Sequence, residues 1–285
     1  MNAKKIHILS KSKLMRYLEV LVLEEKSPHT LEKYERDIRK FYAFCGGKTL
    51  ISKQDVIRYK ADLFEQYELS SANSMLTALN QFFRHCGWED MRVRLFKVQH
   101  RSFCDDAEEI KLEDYHQLLD MSRQEGDKKL NLILQTLCST GIRVSELQYI
   151  TVEALRQGRA EIWNKGKSRI ILIPNELCQS LSRFACEQMI ESGPVFVTRT
   201  GRPVDRSNIW RLMKLLSQRA QVDQSKVYPH NLRHLFARTF YGQQHDLACL
   251  ADILGHCSVN TTRIYITASS DEQVKKMSDL GLVQE

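Results

Sequence analysis

No stretch of this 285-residue sequence is apolar for long enough to span a bilayer. The opening, MNAKKIHILSKSK, lacks the apolar core and small-residue cleavage site of a secretory signal, so a cytosolic protein is expected. Cysteine occurs eight times but never as C-x-x-C, which removes the usual sequence signs of a structural zinc site or a redox dithiol. The thiols read as reduced and mostly packed. HNLRH, residues 230–234, sets two histidines four apart, yet Asn231 stands where a zinc protease needs glutamate, and no metal site is expected. The sequence also lacks internal repeats and low-complexity tracts.

What is present begins with charge. The net charge is +7, and residues 1–104 carry 19 Lys and Arg against 12 Asp and Glu, which accounts for all of it. The remaining residues balance at 23 against 23. A basic first third is either an ordinary solvated surface or the electrostatic footprint of a polyanion.

That first third reads as a four-helix unit. Ser27 is an N-cap with Pro28 at the first helical position; Leu31, Tyr34, Ile38, Phe41 and Phe44 give the apolar period, and Gly46-Gly47 stops it. Ser52 caps ISKQDVIRYKADLFEQ, the apolar positions Met75, Leu79, Phe82 and Phe83 predict a helix ending at Gly87, and Leu14, Leu18 and Leu21 mark another. Between Val98 and Glu109 the apolar period disappears and the charge turns acidic, as in a surface linker. The predicted organisation is a helical domain over 1–100, a linker over 101–109 and a second domain over 110–285. Helical patterns dominate the second domain, broken by AEIWNKGKSRIILIP, which reads as a β-hairpin closed by Pro174. The fold class is therefore mainly α with a small β-sheet or hairpin.

Four polar clusters lie in apolar surroundings. Arg143 and Glu146 in TGIRVSEL are predicted to share one face of a helix that follows a break at Gly141; Lys165 sits in the hairpin turn; His230 and Arg233 follow Pro229; His256 precedes Tyr265 by nine residues. Singly, each has an ordinary explanation as an ion pair, a solvated turn or a helix-start polar group. Together they supply the parts of a phosphoryl-transfer site. Two guanidiniums, Arg143 and Arg233, clamp the nonbridging oxygens of a phosphodiester under attack. Histidines hydrogen-bond the same oxygens or move a proton, a lysine protonates the departing alkoxide, and Tyr265 supplies a nucleophile.

TGIRVSEL, NKGKSRIILIP, PHNLRH and LGHCSVNTTRIY resemble, in order, the four signature blocks of the tyrosine site-specific recombinases of the lambda-integrase type. The resemblance covers about the whole chain, since the first third is similar to the family's helical core-site-binding domain. It implies a mixed α/β catalytic domain in which Tyr265 attacks a DNA phosphate, giving a 3′-phosphotyrosyl link and a free 5′-hydroxyl. It makes Lys165 the general acid, Arg143 and Arg233 the phosphate clamp, His230 and His256 supporting groups, and Glu146 the residue orienting the first arginine. It calls for no metal and no nucleotide cofactor. The partners it implies are double-stranded DNA with inverted core sites and, in the synaptic complex, four copies of the chain, with accessory proteins as possible additions and no membrane. The cytoplasm, at the nucleoid, is the expected location. Ile266-Thr267 departs from the Thr-His that many members have after the tyrosine, outside the catalytic set.

The chain starts almost at the core-binding domain, which favours an Xer-like enzyme or a transposon cointegrate resolvase over a phage integrase with an arm-site domain. The tail, SSDEQVKKMSDLGLVQE, reads as a short amphipathic helix that docks on the parent domain or on a neighbouring protomer. Two alternatives stay open: a type IB topoisomerase, and a non-catalytic DNA-binding regulator of the same fold.

Overall fold

The computed structural model describes residues 5–97, 109–164, 167–256, 258–263 and 278. The chain divides into two compact units, residues 1–100 and 101–285. Most of the predicted linker, together with Lys165, Tyr265 and nearly all of the predicted tail helix, lies outside the described residues. Among the described residues no helix is long and apolar enough to cross a membrane.

The first unit contains helices α1 (Lys11–Leu23), α2 (Pro28–Phe44), α3 (Lys53–Gln66) and α4 (Leu69–His85). Their boundaries follow local chemistry. The Ser27 hydroxyl accepts the Thr30 N–H at 3.3 Å and Pro28 opens α2. The Ser52 N–H donates to the Asp55 carboxylate at 2.8 Å, fixing the start of α3. The core is aromatic: Phe41, Phe82, Phe83, Tyr59 and Tyr17 are buried with Leu21, Ile38, Leu63, Leu76 and Leu79. One element differs from the sequence reading. Strands β1 (Ile6–Ile8) and β2 (Leu50–Ser52) pair antiparallel beside the helices. At three residues each, they are too short for an alternating pattern to register.

The second unit is built around α6 (Lys128–Thr140), which packs against α5 (Leu112–Gln124), α8 (Asn175–Glu187), α9 (Arg206–Arg219) and α10 (Pro229–Gln244). Central placement explains why Leu130, Leu132, Ile133, Leu134 and Leu137 are all buried, an apolar run too broad for a surface helix. After a short helix, α7 (Val152–Gln157), the predicted hairpin is present as β3 (Arg159–Asn164) and β4 (Lys167–Leu172). Its inward face carries Ala160, Ile162 and Ile171 into the core. The chain beyond α10 forms α11 (Leu247–Leu254) and α12 (Val259–Arg263).

Candidate active site

Three segments meet at the C-terminal end of α6. Gly141 ends that helix with φ 61°, a left-handed conformation in which a Cβ would lie 2.4 Å from the Phe236 ring of α10 and 2.9 Å from Leu254 of α11. Glycine is therefore needed both for the turn and for the approach of α10 and α11 to α6. The residues after it correct one expectation. Arg143 and Glu146 do not share a face of an α-helix: Arg143 is extended (φ −75°, ψ 148°) and a 3₁₀ turn spans Val144–Tyr149. The reason is the Glu146 side chain, which takes the Arg143 N–H at 2.7 Å and so caps the turn from within. Its other oxygen accepts Arg143 Nη1 at 3.0 Å.

Glu146 is 2 % exposed, so this carboxylate sits out of water between cations. The second cation is Arg169 of β4, whose Nη2 donates to Glu146 Oε2 and whose Nη1 donates to the Ile253 carbonyl at 2.9 Å. Motif spacing does not single out Arg169. A signal is nonetheless present in the sequence: Arg169 has the parity of Ile171 and Ile173, which puts a charge on the inward face of the hairpin. Arg143, by contrast, keeps 41 % of its side chain open to solvent while its inner edge is held.

On α10, Arg233 is 1 % exposed. Its Nη1 donates to the Gly141 carbonyl at 2.5 Å, and its Nη2 to the Leu254 carbonyl at 2.7 Å and to His256 Nε2 at 2.8 Å. These acceptors are neutral; they orient a guanidinium without cancelling its charge. The arrangement also fixes the His256 tautomer. A guanidinium only donates, so Nε2 carries the lone pair, and Nδ1 carries the hydrogen that goes to the buried Thr262 hydroxyl at 2.8 Å. Burial, then Arg233, Arg143 and Arg169, lower the His256 pKa to about 4, so the ring is neutral at physiological pH.

His230, one turn before His234 on the same helix, packs its ring edge-on against that of His234 at 4.7 Å. Burial against the protein and the nearby Arg233, Arg143 and Arg206 lower the His230 pKa, and burial followed by His230 and Arg233 takes His234 to about 4. The structure thus brings Arg143, Glu146, His230, Arg233 and His256 into one electropositive neighbourhood and adds Arg169 and Thr262. Lys165 and Tyr265 lie outside the described residues, but β3 and β4 run to either side of the first, and Thr262 lies three residues before the second.

These depressed histidines have a measurable consequence. Unfolded, each takes up its proton near pH 6.5; folded, His234 and His256 take it up only near pH 4. Between those values the unfolded chain binds more protons, so stability falls as pH drops through that window. The melting temperature of the second unit is expected to be lower at pH 5 than at pH 7.5 by roughly 5 °C, with part of the difference removed in His234→Gln. A melting temperature that stays level or rises toward pH 5 contradicts the assignment.

Residues 108–272 match the phage integrase family and residues 14–90 match the phage integrase N-terminal SAM-like domain. The chain belongs to the phage integrase family, and its enzyme class is that of the tyrosine recombinases, which carry out site-specific DNA recombination. It is 28 % identical over 272 residues to the tyrosine recombinase XerA of Thermococcus kodakarensis, covering 93 % of each chain. It is 29 % identical over 280 residues to XerD of Pseudomonas aeruginosa, covering 88 % of this chain and 90 % of that one. Among solved structures, the fold is shared with a lambda integrase tetramer bound to a Holliday junction (TM-score 0.72, 17 % identity, 89 % of this chain and 76 % of that one). It is shared equally with the XerH recombinase on palindromic difH DNA in a post-cleavage complex (TM-score 0.71, 19 % identity, 94 % and 84 %).

Proposed function

We propose that this recombinase cuts and rejoins double-stranded DNA at paired sites through a 3′-phosphotyrosyl intermediate, with Tyr265 as nucleophile. The observation that carries the reading is the clustering of Arg143, Arg233, His230 and His256, with a buried Glu146 holding Arg143, a concentration of cationic and neutral donor groups suited to a phosphodiester gaining charge. In the forward step the Tyr265 oxygen loses its proton to the neutral His230 and forms a bond to phosphorus, with His256, its two ring nitrogens engaged by Arg233 and Thr262, as a supporting hydrogen-bond group. The bond to the 5′-oxygen breaks, and Lys165 gives that oxygen a proton, leaving a 5′-hydroxyl. Attack by the 5′-hydroxyl of another strand reverses each transfer. The phosphotyrosyl bond conserves the energy of the broken phosphodiester, so no nucleotide is consumed.

The basic first unit serves as the DNA-binding domain, contacting phosphates to set register, which makes binding steeply salt-dependent. The family resemblance supports four copies acting on two sites, and the similarity to Xer proteins supports resolution of chromosome or plasmid dimers, with movement or resolution of a mobile element as the other candidate role. The site of action is then the nucleoid, in the cytoplasm.

The test itself finds the target site. Purified protein is mixed with sheared genomic DNA from its own source, stopped with detergent, and the DNA retained on protein after phenol partition is sequenced. Adducts gathered at one or a few inverted repeats are expected. Adducts scattered without sequence preference, with relaxation of supercoils, point to a topoisomerase; specific binding with no adduct points to a regulator.

A further inference from the structure

We infer that Arg169 is a positioning residue for strand cleavage, tying the hairpin that carries Lys165 to Glu146, and through it to Arg143, and to the end of α11 that presents His256. The inference rests on the proposed cleavage chemistry. Arg169 lies opposite Ile162 in the hairpin, on the face that fills the core, and its side chain is 16 % exposed. Its two terminal nitrogens go to different segments: one to the Glu146 oxygen that also accepts the Arg143 backbone N–H, the other to the carbonyl of Ile253, at the end of α11 where helix carbonyls lack internal partners. Only a fork of donors with fixed geometry serves both acceptors at once.

The approach is close. Gly255, with φ 64°, passes so near Arg169 that a Cβ there would lie 2.4 Å from Arg169 Cδ, and His256 follows directly. A shift of the hairpin is therefore felt at the His256 turn and at the carboxylate that holds Arg143. Removing one member of a buried ion network costs stability, but an aliphatic side chain of similar volume still fills this inward hairpin position, so the effect on folding and the effect on cleavage are read separately. Glu146 keeps Arg143.

These features choose the variants. Arg169→Met keeps the volume and removes both bonds; Arg169→Lys can restore one of the two. The DNA site recovered by adduct sequencing is synthesised with the ordinary phosphodiester or with a single methylphosphonate at the cleaved position, which replaces one charged nonbridging oxygen by methyl. Adduct formation is followed in single turnover, with Arg143→Ala as reference.

On the phosphodiester, Arg169→Met is expected to be about 30-fold slower, the scale of a catalytic group displaced by an ångström or less, with site binding unchanged within about twofold. On the methylphosphonate the deficit is expected to shrink at least about fivefold, as for Arg143→Ala, because less charge then has to be met by a correctly placed guanidinium. Arg169→Lys is expected to fall between wild type and Met, and it carries the same comparison should the Met variant fail to fold. Equal deficits on both substrates, or rates within twofold of wild type, overturn the inference while leaving the cleavage chemistry in place. Absence of adduct with the wild-type protein overturns the cleavage chemistry, and the inference with it.

Discussion

Tyr265→Phe is expected to abolish covalent adduct formation, by about 10⁴-fold or more, while leaving binding to the same DNA within about twofold. The variant removes one hydroxyl and keeps the ring, so packing and phosphate contacts are preserved. Gel shift measures binding, and a substrate nicked just beyond the cleaved phosphate, which loses the short fragment bearing the new 5′-hydroxyl, traps the wild-type adduct. An adduct that persists in Tyr265→Phe assigns the nucleophile elsewhere. A companion substrate separates the tyrosine from the acid: with sulfur in place of the leaving 5′-oxygen, departure hardly needs a proton. Lys165→Ala is expected to lose about 10²–10³-fold on ordinary DNA and to recover most of it on the sulfur substrate, whereas Tyr265→Phe stays inactive on both. Without recovery, Lys165 is not the acid.

Sequence and structure agree wherever a residue's local chemistry decides an element. Ser27-Pro28, Gly87 and Pro229 set helix limits because capping and backbone restriction act over a few residues. The hairpin is legible for the same reason, its two β-prone runs flanking a short polar turn. What escapes depends on contacts between distant segments or on a side chain turning back. TGIRVSEL reads as helical by spacing, yet Glu146 folds back onto the Arg143 N–H and tightens the turn to 3₁₀. Thr262 is indistinguishable in sequence from its neighbour Thr261, but only Thr262 is buried and bonded to His256.

The spacing of Arg143, His230, Arg233 and His256 suggests the residues, whereas the use of each nitrogen is set by the fold. Arg233 is the clearest case. Read from the sequence it is a ligand for phosphate; in the structure its described bonds run first to the protein, joining the end of α6, the end of α11 and His256. One side chain thus holds together the segments that carry Arg143 and His256.

Arg233→Ala is therefore expected to lower stability and chemistry together. It leaves the Gly141 and Leu254 carbonyls without the donor they share, at about 1–3 kcal/mol for each buried acceptor. For a unit of this size that lowers the melting temperature by roughly 5–15 °C. It also removes a cation that depresses the His256 pKa, so the ring is expected to titrate above its present value of about 4, read by NMR. Adduct formation is expected to fall by about 10³-fold, the scale for removing a preorganised charge from a transition state. Arg233→Lys distinguishes the two jobs. An ammonium reaches one carbonyl and keeps the charge, so much of the stability and the low His256 pKa are expected to return, while cleavage stays well below wild type because one point charge cannot reproduce the fork. If Arg233→Ala melts with the wild type yet fails to cleave, the carbonyl bonds are not what holds these segments together; if it cleaves within tenfold of wild type, Arg233 is a structural strut and the transition-state charge is met by Arg143 without it.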